Sequence, residues 1–337
     1  MSDFSVVLTT INAPTEDVKF IVDNTPATVF VIGDKKTPKD WDYGQAVYVS
    51  YERQLDLYPA LGELLPANHY ARKNLGYLIA ATAEGEWIYE TDDDNCPYLD
   101  HFEPPISLGF SVIKDAGWVN VMNEFKRPGA ERIWPRGFPL EEVDKSHSVD
   151  FTTDVLHQPV VMGLVDQDPD VDAIYRLTAK LPYFFEPKDK TVTLGAGSYF
   201  PWNSQNTWWK KNCLPLMYLP VTVTPRVTDI LRSYVATAIL QKFDLGVGIT
   251  GPTAIQDRNQ HNLMKDFADE MPLYLHAAQM MDCIIEGIED SDNFFTAIYD
   301  AYQNLAQYYF VEKAEVGILL AYLAEVQKIQ GTEILKV

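Results

Sequence analysis

Residues 89–98 read YETDDDNCPY, which sets Asp92, Asp93 and Asp94 side by side between an apolar run and Pro97. Adjacent carboxylates repel, and each raises its neighbour's pKa unless a cation relieves the charge. A divalent ion does this. Hard oxygen ligands favour magnesium or manganese, and such sites use one or two carboxylates while substrate phosphates and water complete the shell. The triplet therefore predicts a metal bound together with a diphosphate. A run of acids is more often a solvated surface, but here Trp87-Ile88-Tyr89 places the aspartates where a buried strand ends, and Pro97 blocks its simple continuation. Cations stand close in sequence. Arg72, Lys73 and Asn74 open the helical stretch YARKNLGYLIAA, where first-turn N–H groups and the helix dipole attract anions. Asp34-Lys35-Lys36 forms a second polar cluster at the end of another apolar run.

The elements that must position these groups alternate along the first third of the chain. Strands are expected at 4–10, 28–33, 46–50 and 86–90, with a helix opening at Pro14-Thr15-Glu16-Asp17 and another over 70–82. The run TVFVIG is apolar throughout, the mark of a strand covered on both faces. This rhythm predicts a doubly wound α/β fold with a mostly parallel central sheet flanked by helices, whose ligands sit at the carboxyl ends of the strands. Thr9-Thr10, Asp34-Lys35-Lys36 and the triplet all fall at such ends. Residues 100–220 are loop-rich, with strands expected at 118–122 and 217–223. From Arg226 the pattern turns helical, with Val227, Ile230, Leu231 and Tyr234 on one face and later Phe294, Ile298, Tyr302 and Leu305 at helical spacing. The reading divides the chain into 1–225, which carries these strand ends, and a helical 226–337 packed on it as one compact unit.

Composition narrows the partners. The 337 residues are 47% hydrophobic, enough for a buried core, and 27 basic against 48 acidic side chains give a net charge of −21. Such a charge repels nucleic acid and anionic membranes, whereas a nucleotide can still be held by a local cluster of cations or a metal. Three scattered cysteines, Cys96, Cys213 and Cys283, make neither a disulfide framework nor a zinc cluster and fit a reducing compartment. With no leader-like N-terminus and no stretch of about 18 apolar residues, a soluble, cytoplasmic protein is expected.

The order VFVIGDKKTPKDW, YARKNLGYLIAATAEGEWIYETDDDN, GLVDQDPDVDAIYRLT, FPWNSQNTWW, LPVTVTPRVTDILRSY and QDRNQHNLMKDFADEMPLY resembles the STELLO-type glycosyltransferase family and, more distantly, the nucleotide-sugar-dependent GT-A fold. The resemblance spans most of the chain. It implies that Asp94 is the principal metal ligand and that Asp92 reaches the metal and the ribose or sugar, with Asp93 beside them. It places Thr9, Thr10, Asp34 and Lys35 around the nucleoside, and Arg72 and Asn74 on the nucleotide or diphosphate. A late histidine in the polar stretch DRNQHN, His261, would join a manganese or magnesium ion or serve as an ordinary surface residue, and the same choice holds for Asp257, Arg258, Asp269 and Glu270. Asp229 would serve as general base in an inverting displacement or orient the acceptor in a retaining one; as a first-turn acid it equally complements a helix dipole. Arg232, three residues on, would contact phosphate or fix that carboxylate. Trp202, Asn203, Trp208 and Trp209 form either a sugar-stacking wall or an aromatic core segment.

The function so implied is metal-dependent transfer of a sugar from a nucleotide diphosphate, with a UDP-sugar favoured, to a glycan or other acceptor. Two alternatives remain: a non-catalytic scaffold that binds a partner on the same fold, and a mutase that interconverts sugar ring forms on the nucleotide. Nucleotidyl transfer fits less well, because the segment after the first strand, LTTINAPTED, has no glycine-rich loop.

Overall fold

β1 (Phe4–Thr9) and β4 (Trp87–Thr91) are buried along almost their whole length, and β2 (Thr28–Ile32) beyond its first residue. In the computed structural model, which describes residues 3–145, 149–258 and 262–331, these strands lie parallel with β3 (Val47–Val49) in the order β3-β2-β1-β4. Alternation divides their side chains between two layers. Val6, Leu8, Val29 and Val31 pack with Val18 and Ile21 of α1 (Glu16–Asn24), while Val7 and Ile32 pack with Leu75 on the other face. Register sets Thr9 opposite Ile32 and Val7 opposite Glu90, so the chain leaves all three strands along one edge, at Thr10, Asp34 and Asp92.

Thr15 caps α1 by accepting from the Val18 N–H at 3.1 Å, with Glu16 and Asp17 in the first turn. After β3 come two short helices, α2 (Tyr51–Leu57) and α3 (Pro59–Leu64), then a 3₁₀ turn at Tyr70–Arg72 that runs into α4 (Lys73–Ala81). Gly76 presses α4 onto the sheet: a Cβ there would lie 2.7 Å from Val7 Cγ1 and from Ile32 Cγ1. That close approach brings the start of α4 to the strand ends.

β5 (Asn95–Pro97), β6 (Val160–Asp166), β7 (Thr191–Leu194), β8 (Asn206–Lys210) and β9 (Val247–Gln256) complete the working part of the sheet. β8 runs antiparallel between β4 and β6, and β6 pairs parallel with β9, which takes β7 on its other side. Two short strands, Val112–Ile113 and Phe151–Thr152, extend the edge beyond β7. β5 pairs with the end of β9, Asn95 opposite Gln256, which returns the chain beside the triplet. The remaining helices are α5 (Ala173–Thr178), α6 (Pro225–Lys242), α7 (Leu263–Gly287), α8 (Phe294–Gln307) and α9 (Ala314–Gln330).

The α/β class, the helices on both faces of the sheet and the C-terminal helices agree with the sequence. Three details differ. Residues 226–337 include β9, a ten-residue strand central to the sheet. The strand expected at 118–122 is only Gly117–Trp118 followed by a 3₁₀ turn at Val121–Phe125, and 217–223 follows a 3₁₀ turn at Lys211–Met217 without forming a strand. Pro215, Pro220 and Pro225 explain the last, since a proline donates no ladder hydrogen bond. No helix among the described residues is long and apolar enough to cross a membrane.

Every residue of α6 from Val227 to Gln241 is buried. An all-buried helix can carry a charge only where it is paired. Arg232 meets Glu90 of β4 through Nη1 at 2.9 Å and Nη2 at 2.6 Å, lies over the Trp202 and Trp209 rings, and shares Glu90 with Trp209 Nε1 at 2.8 Å and with the Tyr77 hydroxyl. Removing one partner of such a pair strands the other. Arg232→Met is expected to cost about 3–5 kcal/mol, read as a lower urea midpoint; an unchanged midpoint would contradict this role.

Candidate active site

The triplet forms the tight turn between β4 and β5, and its three carboxylates diverge. Asp92 Oδ1 accepts from Tyr70 Oη at 2.8 Å and from Lys73 Nζ at 3.0 Å. Asp93 points back to the loop after β1, where Oδ2 accepts from Thr10 Oγ1 at 2.5 Å and Asn12 Nδ2 at 3.0 Å, and its carbonyl accepts from Thr15 Oγ1 at 2.6 Å. Asp94 Oδ1 accepts from Gln256 Nε2 at 3.1 Å, leaving Oδ2 without a hydrogen-bond donor among the described residues. Burial, then the neighbouring charge of Asp92, raises the Asp94 pKa to about 6. Burial also raises that of Asp92, against the lowering by Lys73.

Two cavities meet at this turn. The larger, about 410 Å³, is bounded by Thr9, Thr10, Asp34, His69, Arg72 and all three aspartates. Asp34 Oδ1 accepts from the Lys35 N–H at 2.7 Å and Oδ2 from the His69 N–H at 3.1 Å, while Thr37 bridges the Asp34 N–H and the Thr10 carbonyl, both at 2.7 Å. The β1 and β2 loops are thereby locked together at the cavity wall. The smaller chamber, about 140 Å³, takes Asp92 and Asp94 on one side and Asp170, Asp229, Arg136 and Arg258 among its other walls. Arg136 clamps two of these carboxylates. Its Nε and Nη2 donate to Asp170 at 3.0 and 2.7 Å, and its Nη1 and Nη2 to Asp229 at 3.0 and 3.1 Å. Burial opposes ionisation of both acids, yet the Arg136 charge outweighs it and holds each below the usual carboxylate range. Arg226 is anchored to Glu270 at 2.7 Å, and burial together with Arg176 and Arg226 lowers Arg258 to about 10.

Of the residues expected from sequence, Thr9, Thr10, Asp34, Arg72, Asp92, Asp93 and Asp94 come together around the larger cavity, and Asp229 lines the chamber. Arg72 belongs mainly to the fold: only 1% exposed, it donates to Gln54 Oε1 at 2.7 Å and to the Gly62 and Leu65 carbonyls at 3.2 and 3.0 Å. Lys35, Asn74 and Arg232 are not brought to either cavity. Lys35 is exposed over the Tyr51 ring, Asn74 exchanges hydrogen bonds of 2.7 and 2.8 Å with the Leu219 backbone, and Arg232 is spent on Glu90. Trp202, Trp208 and Trp209 are core residues, at 1%, 4% and 0% exposure, whereas Asn203 reaches the chamber and donates to Asp170 at 3.1 Å. His261 lies outside the described residues. Arg136, Asp170 and Gln256 are not singled out from sequence, the only signal being the acidic DQDPDVD in which Asp170 sits; Lys73 is read there only as one of the first-turn cations, without a partner.

Asp94 and Asp92 suit a hard divalent ion, because both are carboxylates lining the same two cavities and one Asp94 oxygen takes no donor among the described residues. No group of three or more His, Cys, Asp or Glu side chains among the described residues is gathered to hold a metal by itself. Further ligands would come from a diphosphate and water, as is usual for magnesium.

The family model described as STELLO glycosyltransferases matches residues 226–334. Two curated proteins of Arabidopsis thaliana, named probable glycosyltransferase STELLO2 and STELLO1, are each 27% identical to the chain over 341 and 342 residues, covering 95% of this chain and 44% of theirs. The chain is thus similar to STELLO proteins across nearly its whole length, and spans less than half the length of these curated relatives. A solved structure titled as the crystal structure of a mycobacterial protein covers 86% of the chain and 76% of its own, with a TM-score of 0.42 and 12% identity.

The raised Asp94 pKa has a thermodynamic sign. An acid whose pKa is higher in the fold than in the unfolded chain holds its proton better when folded, so it favours the fold below the ordinary value of 3.8 and loses that contribution as pH rises through about 6. In metal-free buffer, Asp94→Asn is expected to gain stability relative to the parent as pH rises from 4 to 7, by at most about 3 kcal/mol at about 1.4 kcal/mol per pKa unit. Urea midpoints of both proteins at each pH measure it. Asp172, raised to about 6 by burial, cancels in the difference, and a flat difference curve would refute the assignment.

Proposed function

We propose that this chain is a glycosyltransferase that uses a nucleotide-diphosphate sugar, with a UDP-sugar favoured, and transfers the sugar to a glycan or other acceptor. The observation that carries the reading is the pair of cavities sharing Asp92 and Asp94 at the carboxyl ends of β1, β2 and β4, in a chain similar over 95% of its length to proteins named as glycosyltransferases. The 410 Å³ cavity is of a size for a nucleoside diphosphate, and the 140 Å³ chamber for a single sugar ring.

In this reading Thr10, Asp34 and the His69 loop receive the nucleoside, and Asp94 with Asp92 holds manganese or magnesium beside the diphosphate. When bound, that ion would offset negative charge on the departing nucleoside diphosphate. Lys73 keeps Asp92 in place. Asp229 is held ionised by Arg136 and already accepts from Ser204 N and Oγ at 3.3 Å, which suits it to stabilise positive charge developing on the sugar carbon better than to take a proton. Asn203 and Gln205 offer amides to sugar hydroxyls from the turn before β8.

Calorimetry tests the donor site. UDP is expected to bind only with manganese, and Asp94→Ala to abolish that binding; failure of UDP, GDP and other nucleoside diphosphates to bind with manganese would sink the proposal. Release of nucleoside diphosphate from a panel of sugar nucleotides then separates an enzyme from a scaffold. Asp229→Asn should bind donor as the parent does and turn over about a hundredfold more slowly or worse; full turnover would remove Asp229 from the chemistry.

A further inference from the structure

We propose that the groove at the corner between α8 and α9 is a second carbohydrate site, which binds neutral oligosaccharides with Tyr309 as its stacking platform. At about 660 Å³ it is larger than either active-site cavity and shares no lining residue with them.

Tyr309 is the anomaly. It stands just past α8 with φ +65°, where its N–H and that of Phe310 fold back on the Ala306 and Leu305 carbonyls. Helix ends of this left-handed kind normally take glycine, as this chain does with Gly331, φ +67°, after α9. A bulky aromatic side chain is an outlier at such a φ, and packing does not explain it, because Tyr309 is 84% exposed. Strained, exposed positions of this kind are kept where the side chain has a task outside the fold.

The walls of the groove specify the ligand class. Gln303, Asn304 and Gln307 present amides, Asp300 a carboxylate and Lys313 an ammonium, which together can donate to and accept from adjacent hydroxyls. Several are already oriented: Asp300 Oδ2 accepts from Ser291 Oγ at 2.7 Å, Asn304 Nδ2 donates to the Cys283 carbonyl at 2.7 Å, and Gln303 Nε2 to Tyr299 Oη at 2.5 Å. Asp300 and Lys313 balance in charge, so nothing in the lining selects for a phosphate or a uronate. An exposed aromatic face ringed by planar polar groups of zero net charge suits the apolar face and hydroxyl edge of a neutral sugar. The site does not rest on the transferase reading, since a non-catalytic protein could carry it equally.

The test is saturation-transfer NMR with maltohexaose, cellohexaose and mannohexaose as neutral probes and an oligogalacturonate as the anionic one. At least one neutral hexasaccharide should bind, weakened about tenfold or more in Tyr309→Gly, while that variant melts at the parent's temperature or above because glycine fits the left-handed turn. Binding should persist in Asp94→Ala. No neutral probe bound, full binding in Tyr309→Gly, a lowered melting temperature for that variant, or stronger binding of the oligogalacturonate would each overturn the proposal. Loss in Asp94→Ala would overturn it too, by returning the sugar to the active-site cavities.

Discussion

One buried ammonium organises the working edge of the sheet. Lys73 Nζ, on a residue with no exposed surface, touches four oxygens from different parts of the chain: Tyr70 Oη at 2.8 Å, the Thr91 carbonyl at 2.7 Å, Asp92 Oδ1 at 3.0 Å and the Ser204 carbonyl at 3.2 Å. A cation taken out of water costs several kcal/mol, which only close, well-directed partners offset. The start of α4, the end of β4 and the turn before β8 are therefore held at fixed distances by a single charge. Asp92 is drawn inward to that charge, which leaves the other two aspartates to find separate partners.

The same logic governs the other buried charges of this acidic chain. Arg232 is matched to Glu90, Arg136 to Asp170 and Asp229, and Arg226 to Glu270. Such pairs are weak evidence for stability, since desolvation cancels much of the attraction. What they do here is fix geometry. Arg136 sets Asp229 and Asp170 side by side, and its guanidinium, with Arg226 and Arg258 beside Asp170 and Arg232 near Asp229, keeps both carboxylates ionised despite burial. Arg258, whose charge burial and two neighbouring arginines disfavour, brings a positive group to the chamber that Asp92 and Asp94 also line, and its charge acts on Asp94.

How much of this the sequence disclosed follows from the range of the interactions. The strand ends were legible, because TVFVIG and EWIYE are short apolar runs that stop at charged residues, and Thr10, Asp34 and the triplet do line one cavity. Which way a first-turn side chain points was not. Arg72, Lys73 and Asn74 look alike as helix-opening polar residues, but the approach of Gly76 to Val7 and Ile32 fixes the rotation of α4, sending Asn74 to Leu219 and Lys73 to Asp92. Arg232 shares a helical face with Asp229 only in projection; its long side chain runs to β4 instead. β9 was hidden because VGITGPTAIQ carries two glycines and a proline amid helical sequence, and its register against β6 shifts at Gly163 and Leu164. Arg136 and Asp170 lie 34 residues apart on irregular segments, a contact that no local period encodes.

The triplet combines a turn requirement with a charge requirement. A tight reversal between β4 and β5 favours Asp or Asn on conformational grounds alone, and Asp93 spends its carboxylate on Thr10 and Asn12 as a turn-locking residue would. Asp92 and Asp94, on either side of it, both border the large cavity and the small chamber. A ligand long enough to occupy both must pass these two carboxylates. Both are raised in pKa, Asp92 by burial and the charge of Asp229 against the lowering by Lys73, and Asp94 to about 6 by burial and the charges of Asp92 and Asp93 against Gln256 and Arg258. Asp94 also keeps Oδ2 without a hydrogen-bond donor among the described residues, so an electrostatic cost and an unbonded oxygen fall on the same residue. In the proposed function that cost is what a cation would offset, whereas an asparagine, which satisfies the turn equally well, would remove it without one.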